Sequence, residues 1–364
     1  MQHPVRPCLT SLVLLAMAAL PATPARAVDR PPYYKVFQFP PDQIPRIDGD
    51  ASDWNIVPDS YAVGMDQMVD DTKTYAKPDP QILDAKVRVG WVKGLNRLYF
   101  LYEAYKSYWD FSRPGLDSDI FELVVDGDRS GGKFIARWRP DPNVPEFDAY
   151  FAMQGYTAQN YHIFTPPLDK DWCMAWGPQQ WLKEFPYANH ACKYDFKPGE
   201  AGKLTLEFYI TPFDLASPDG PEKSKETQLV ENNLVSLCWA ILDYRGPEPA
   251  KHMFWNLSSV HTMYGDASLL LPFKLMPLEP QFVKPFEAKW TFQVVDMAKR
   301  LVAFQDQSRG KVTSWHWDFG DGTSSTEQNP QHAYKDPGNY IVVLDIAGPA
   351  GKSRFSRVWD VTLK

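Results

Sequence analysis

Apolar and polar residues alternate with a period of two along most of this chain, and sustained helical periodicity is absent. The segment AKVRVGWV (85–92) alternates cleanly, KGLNR turns the chain, and LYFLYEAY (98–105) follows, which is the pattern of a β-hairpin. IFELVVD (120–126), FDAYFAM (147–153), KLTLEFYI (203–210) and LVSLCWAIL (234–242) continue the series. Within LTLEFYI the period sends Leu204, Leu206, Phe208 and Ile210 toward a core and Thr205, Glu207 and Tyr209 outward. Short helices are expected only near 179–186 and 212–216, each opened by a proline.

DWCMAWGPQQW (171–181) is different, with three tryptophans in a short span. On an extended strand Trp172, Met174 and Trp176 share a face. Gly177-Pro178 then breaks the strand, because the residue before a proline is pushed out of the helical region, and Trp181 opens a new element. The stretch reads as a strand running into a loop.

LMPLEPQFVKPFEAKW (275–290) sets three prolines between apolar residues and reads as a linker. Beyond it TFQVVD, RLVAFQDQ, SWHWDFGD, NYIVVLDIA and RVWDVTL give five strand candidates at the spacing of an immunoglobulin-like sandwich. The expected organisation is all-β: a sandwich over 28–277, a proline-rich linker over 278–284 and a smaller sandwich over 285–364. The 33 prolines are scattered between apolar runs, as suits a loop-rich β protein.

The first 27 residues stand apart. A basic start with His3 and Arg6, the apolar run LTSLVLLAMAAL (9–20) and ARA (25–27) compose a signal peptide cleaved near Ala27. The run is shorter than the ~20 residues a bilayer requires. An exported mature protein, secreted or periplasmic, with no transmembrane segment is expected. A net charge of −7 argues against nucleic acid as a partner. Export permits a disulfide, and Cys173 with Cys192 would pin both ends of the tryptophan-rich loop; free thiols are the alternative.

The stretch SWHWDFGDGTSSTEQNPQHAYKDPGNYIVVLDI (314–346) resembles the PKD (polycystic kidney disease) domain, with WDFGDG, NPQHAY and PGNYIVVL in the family's order and spacing. Trp317 and Phe319 would point into the sandwich, Gly320 and Gly322 would make the turn, Asp318 and Asp321 would bond turn amides, and Tyr334 would tie a corner. The resemblance implies a spacer, or a module that contacts other exported proteins or polysaccharide.

IPRIDGDASDW (44–54), LYFLYEAY, DSDIFELVVDGD (117–128), LTLEFYITPFDL, LCWAILDY and MYGDASLLL resemble the family 9 carbohydrate-binding modules and their DOMON-like relatives. That resemblance implies a β-sandwich that holds an oligo- or polysaccharide through exposed aromatic side chains. Trp109, Trp172 and Trp176 are the candidate clamps, with Arg137, Trp138, Gln154 and Asn160 as neighbours. The alternative is that these tryptophans plug the ends of the sandwich.

DGDRSGG (126–132) matches the first half of an EF-hand loop, but Arg137 occupies the twelfth position and the motif is rejected. A calcium-stabilised β loop using Asp126, Asp128 and Ser130, with Asp119 or Glu122, stays open; otherwise no cofactor is expected. Histidines 162, 190, 252 and 261 with Met65, Met68, Met153, Met263 and KHMFW (251–255) leave a haem-binding, DOMON-like redox protein as one rival. A structural or adhesion protein with no small ligand is the other. Nucleophile elbows, HExxH helices and phosphate loops are absent. The expected function is non-catalytic carbohydrate binding.

Overall fold

The computed structural model describes residues 31–111, 115–135, 143, 145, 154–167, 171–246, 251–356 and 361–363. The chain forms two compact units, one ending at Met276 and the other beginning at Pro277.

In the first unit the chain runs through β1 (Tyr34–Gln38), β2 (Val63–Gly64), β3 (Val69–Asp70), β4 (Leu83–Trp91) and β5 (Leu98–Lys106). It continues with β6 (Ile120–Asp126), β7 (Gln159–Phe164), β8 (Cys173–Ala175), β9 (Ala188–Tyr194) and β10 (Gly202–Ile210). Then come β11 (Phe213–Leu215), β12 (Lys225–Glu226), β13 (Leu234–Arg245), β14 (Lys251–Asn256) and β15 (Leu271–Leu275).

The order β8-β7-β6-β13-β15-β1-β4-β5-β10-β9 is hydrogen-bonded throughout. β1 is the hinge of this order. Tyr34–Val36 pairs with β15, and Phe37–Gln38 pairs with β4, so one strand belongs to both halves. The halves face each other as a sandwich: Tyr102 of β5 stacks on Phe121 of β6 at 4.6 Å, and Phe121 meets Phe208 of β10 at 6.2 Å.

Alternation does what the sequence demands on the inner faces. Leu204, Leu206, Phe208 and Ile210 are all buried in the core. Glu207 and Tyr209, expected outward and exposed, are buried as well. The reason is tertiary: the IDGD loop lies over the outer face of β10. Glu207 accepts hydrogen bonds there from Gly49 N at 2.6 Å, Asp48 N at 3.2 Å and Trp54 Nε1 at 2.8 Å. Burial raises the Glu207 pKa against the pull of those donors. Gly49, at φ 76°, makes the turn that presents the amides.

One of the two short-helix expectations changes. A 3-10 turn does form at Gln180–Lys183, but Phe213–Leu215, expected to be helical, is strand β11. It pairs with β12 rather than closing on itself.

Charge closes one end of the sandwich. Lys106 is opposite Leu83 in register and points inward, where Nζ meets Asp119 at 2.6 Å and Asp243 at 2.9 Å. Arg245 completes the cluster by pairing with Asp243. Burial pushes Asp119 up to about 6 against the attraction of Lys106. Asp243 is just as deeply buried, but Lys106 and Arg245 together outweigh that and hold it below the usual carboxylate range.

The second unit has β16 (Trp290–Asp296), β17 (Leu301–Asp306), β18 (Ser314–Asp318), β19 (Ser324–Ser325) and β20 (Gln331–Ala333). β21 (Gly338–Tyr340), β22 (Val343–Gly348), β23 (Gly351–Ser356) and β24 (Val361–Leu363) complete it. β16-β17-β20 form one sheet and β19-β18-β22-β23 the other, with β21 paired to β24. Trp290, Phe304, Trp317, Phe319, Tyr334, Leu344 and Ile346 fill the space between. Gly320 and Gly322 have φ of 79° and 86°. Asp318 accepts from Gly320 N and Asp321 from Thr323 N, and Tyr334 donates its hydroxyl to Phe319 O at 3.1 Å.

Candidate functional site

The outer face of the sheet that contains β6, β7 and β13 carries the unusual chemistry. Because Phe121, Leu123 and Val125 face the core, Glu122 must face away from it. Register then fixes a single rung across the sheet. Glu122 lies opposite His162 of β7 and Ala240 of β13, His162 opposite Met174 of β8, and Ala240 opposite Asn256 of β14. Asn160 is two residues before His162 and shares its face.

Two of these polar side chains, Asn160 and His162, are buried yet incompletely paired among the described residues. Glu122 Oε1 accepts from Asn160 Nδ2 at 2.7 Å and lies 3.2 Å from His162 Nε2. Asn160 Nδ2 also donates to Tyr264 O at 3.0 Å, and Asn160 O accepts from Trp176 N at 2.8 Å. Asn160 is therefore held between the backbones of two aromatic residues. Trp176 also approaches the His162 ring at 5.6 Å. Asn160 Oδ1, His162 Nδ1 and Trp176 Nε1 are buried without any hydrogen-bond partner among the described residues. Asn160 is 1% and His162 7% exposed.

At the far end of the rung Asn256 donates to Asp71 Oδ2 at 3.0 Å, and His261 Nδ1 lies 3.1 Å from Asp71 Oδ1. Burial raises the Asp71 pKa, with Asn256 and His261 pulling the other way. Tyr264, 37% exposed, touches both polar groups, through Asn160 and through an edge contact with His261 at 5.6 Å.

The tryptophans divide. Trp109 is a plug: it stacks on Phe196 at 4.5 Å and donates to Gly202 O at 2.9 Å, with Lys106 Nζ 5.4 Å from its ring. Trp172 is core too, stacked on His190 at 4.8 Å and donating to Lys183 O. Trp181 packs edge-on against Tyr187 and Phe213. The expectation that Trp172, Met174 and Trp176 share a face is thus corrected. β8 spans only Cys173–Ala175, and Trp172, just outside it, turns into the core. Trp176 is half-buried at the rim of the polar floor.

Of the other expected ligand residues, Gln154 and Asn160 come to the same place as Trp176. Gly177, at φ 123°, passes so close to Gln154 that an added Cβ would stand 2.4 Å from its carbonyl oxygen. Arg137 and Trp138 lie outside the described residues, as do strand candidate 147–153 and Met153. The five candidate calcium residues are not brought to one centre. Asp119 is bound to Lys106 and Glu122 to the floor. Asp126, pushed up to about 6 by burial and by Asp128, accepts from Ser130 N and Gly131 N, while Asp128 accepts from Ser130 N. Cys173 and Cys192, the candidate bridge, are both free thiols. They belong to β8 and β9, the opposite ends of the strand order. Met65, Met68 and Met263, the haem-ligand candidates, are packed in the core.

His162 was legible only as an unplaced histidine, and Tyr264 not at all. The available signal was a polar pair at alternate positions of one strand, Asn160 and His162, beside a lone glutamate in the otherwise apolar IFELVVD.

Comparison with known proteins adds the following. The family model described as "PKD domain" matches residues 288–363. Collagenase ColA of Bacillus cereus is 54% identical over 43 residues, which is 12% of this chain and 4% of that protein. A microbial collagenase of Vibrio alginolyticus is 45% identical over 42 residues, 12% of this chain and 5% of that one. The chain thus spans only a small part of the length of these relatives. Among solved structures, a family 9 carbohydrate-binding module from Caldicellulosiruptor kristjanssonii in complex with cellotriose aligns at 13% identity and a TM-score of 0.43. The alignment covers 69% of this chain and 98% of that one. The PKD1 domain of Vibrio anguillarum Epp aligns at 26% identity and a TM-score of 0.20, covering 22% and 98%. No helix among the described residues is long and apolar enough to cross a membrane. With its aspartate-bonded glycine turn and tyrosine corner in place, the second unit, over residues 288–363, is a PKD domain.

Proposed function

We propose that the first unit is a saccharide-binding module whose ligand is held on the outer face of the sheet, at Asn160, His162 and Trp176. One observation carries this reading: three polar atoms, two on strand β7 and one on the neighbouring indole, are buried and have no hydrogen-bond partner among the described residues. Leaving such groups unpaired costs about 1–3 kcal/mol each, so a native fold that keeps three of them together is built to have them met from outside. A mixture of acceptors and an N–H donor beside an indole and the half-buried Met174 suits a polyol, whose hydroxyls serve the polar atoms and whose C–H face serves the ring.

The reading is retention without turnover. Glu122 is the one carboxylate of its rung, and its Oε1 is already engaged by Asn160 and His162. The PKD domain then acts as a spacer or as a dock for other exported proteins, after removal of the leader at residues 1–27.

The test is tryptophan-fluorescence and calorimetric titration of the mature chain with cellohexaose, xylohexaose and mannohexaose. Saturable binding that weakens at least tenfold in Asn160→Ala and in Trp176→Ala supports the site. Binding unaffected by either substitution moves the site elsewhere. Absence of binding to all three favours a structural or adhesion role.

A further inference from the structure

The donors and acceptors of the floor have a fixed polarity, and that polarity selects among saccharides. Glu122 is the residue that fixes it. Its Oε1 accepts from Asn160 Nδ2, so the Asn160 amide is held with its nitrogen toward the carboxylate and its oxygen away. The second proton on that nitrogen goes to Tyr264 O, which makes the opposite amide orientation unfavourable twice over. His162 is governed in the same way. With Nε2 3.2 Å from the same carboxylate oxygen, the proton of the neutral ring belongs on Nε2, and Nδ1 is left with a lone pair. With the His162 ring neutral, both free atoms on β7 are acceptors, on one strand face and two residues apart.

We infer that this floor takes its ligand through two hydrogen bonds in which the ligand is the donor, to Asn160 Oδ1 and His162 Nδ1. It consequently selects neutral, hydroxyl-rich saccharides over uronates and sulfated saccharides. Glu122 is the positioning residue behind this choice. The inference rests on the saccharide reading above and narrows it to a ligand class.

Charge acts in the same direction as hydrogen-bond polarity. A carboxylate or sulfate placed over the floor brings no proton to either acceptor. It would also face Glu122, which is 2% exposed and so poorly screened by water. Among the described residues, the charged groups that the rung reaches through Asn256 are Asp71 and His261, which are already paired with each other. No Lys or Arg is hydrogen-bonded or ion-paired to Glu122, Asn160 or His162 among the described residues. The usual device for reading an anionic sugar, a guanidinium fork or an ammonium, is missing from these contacts.

Two measurements on the full mature chain test this. The first is independent of any ligand: long-range ¹⁵N–¹H spectra at pH 8 report which nitrogen of His162 carries the proton. The Nε2–H form is expected. A predominantly Nδ1–H ring would overturn the inference, whatever binds. In Glu122→Gln, a side chain of nearly the same shape that both donates and accepts, the two forms should become mixed, an outcome that a merely space-filling glutamate would not give. Circular dichroism of this variant establishes that it is folded.

The second measurement compares hexagalacturonate with cellohexaose, xylohexaose and mannohexaose by calorimetry at pH 7. At least one neutral hexaose should bind ten times more tightly than hexagalacturonate, and Glu122→Gln should narrow that gap at least threefold. Hexagalacturonate binding as tightly as, or more tightly than, every neutral hexaose overturns the inference and leaves the saccharide reading standing. If none of the four binds, the saccharide reading itself falls, and the inference falls with it.

Discussion

The two units handle polar groups in opposite ways. The second has a core of rings: Trp290, Phe304, Trp317 and Phe319 pack against one another at 5.3–5.9 Å, and its carboxylates sit toward the surface, where hydrogen bonds stabilise their charge. Asp345 is held below the usual range by Arg354. In Asp306 and Asp321 partial burial is outweighed by hydrogen bonds from Ser308 and Trp315, and from Thr323 and His332. The first unit instead buries charge. Lys106, Asp119, Glu122, Glu207 and Asp243 are each no more than 2% exposed. A small sandwich has room only for apolar filling between its sheets. The larger one extends loops over its outer faces, so positions that alternation turns outward are covered, and their polar groups must find partners or wait for them.

The largest test of that contrast is Lys106→Ala. It would strand Asp119 inside the first unit and leave Asp243 with Arg245 alone, and breaking a buried pair in this way costs about 3–5 kcal/mol. Urea unfolding of the full chain should show one transition shifted and the PKD transition unmoved. A loss under about 1 kcal/mol would mean that water reaches the cluster and that the first unit does not bury charge in the sense argued.

Next come the tryptophans. Trp109→Ala removes a stacked plug and should cost about 3 kcal/mol or more, whereas Trp176→Ala, at the rim, should cost under about 1 kcal/mol while weakening saccharide binding. Equal stability losses would erase the distinction between plug and rim. In the second unit Tyr334→Phe deletes the hydroxyl bonded to Phe319 O and should cost about 1 kcal/mol, read as a lower melting temperature for the PKD transition alone.

The smallest effect is the pH response, and its sign differs between units. Asp119 and Asp126 stand at about 6 in the folded first unit against ~3.9 in an unfolded chain. The folded form therefore binds more protons between pH ~4 and ~6, and the stability from these two groups falls as pH rises through that window. Asp306, Asp321 and Asp345 are depressed, so their contribution is full above pH ~4 and is lost as pH falls through their folded values. Asp243, also depressed, opposes the trend of its own unit only below pH ~4. Calorimetry of the full chain from pH 7 to 3.5 should show the first unit gaining on mild acidification before the PKD domain begins to lose. Parallel movement of both transitions would contradict this.

The sequence alone determined the all-β character, the inward set of each long strand and nearly every feature of the PKD domain. Those depend on short-range physics. Period-two alternation sorts faces, glycine is needed where φ is positive, as at Gly320 and Gly322, and an aspartate can bond an amide two residues on. Where interactions span the chain, local reading fails. Nothing near Trp109 reveals that Phe196 stacks on it, and nothing near Glu207 reveals that Gly49 comes to lie above it. Cys173 lies on β8, paired with β7, and Cys192 on β9, paired with β10, and neither pairing is readable from the residues around the cysteines. The candidate site shows the same division. Asn160 and Trp176 were readable as polar and aromatic residues near a strand end, because that is a local property. That Glu122 reaches both Asn160 and His162 depends on the register between β6 and β7, and that register is fixed only when two sheets close over a common core.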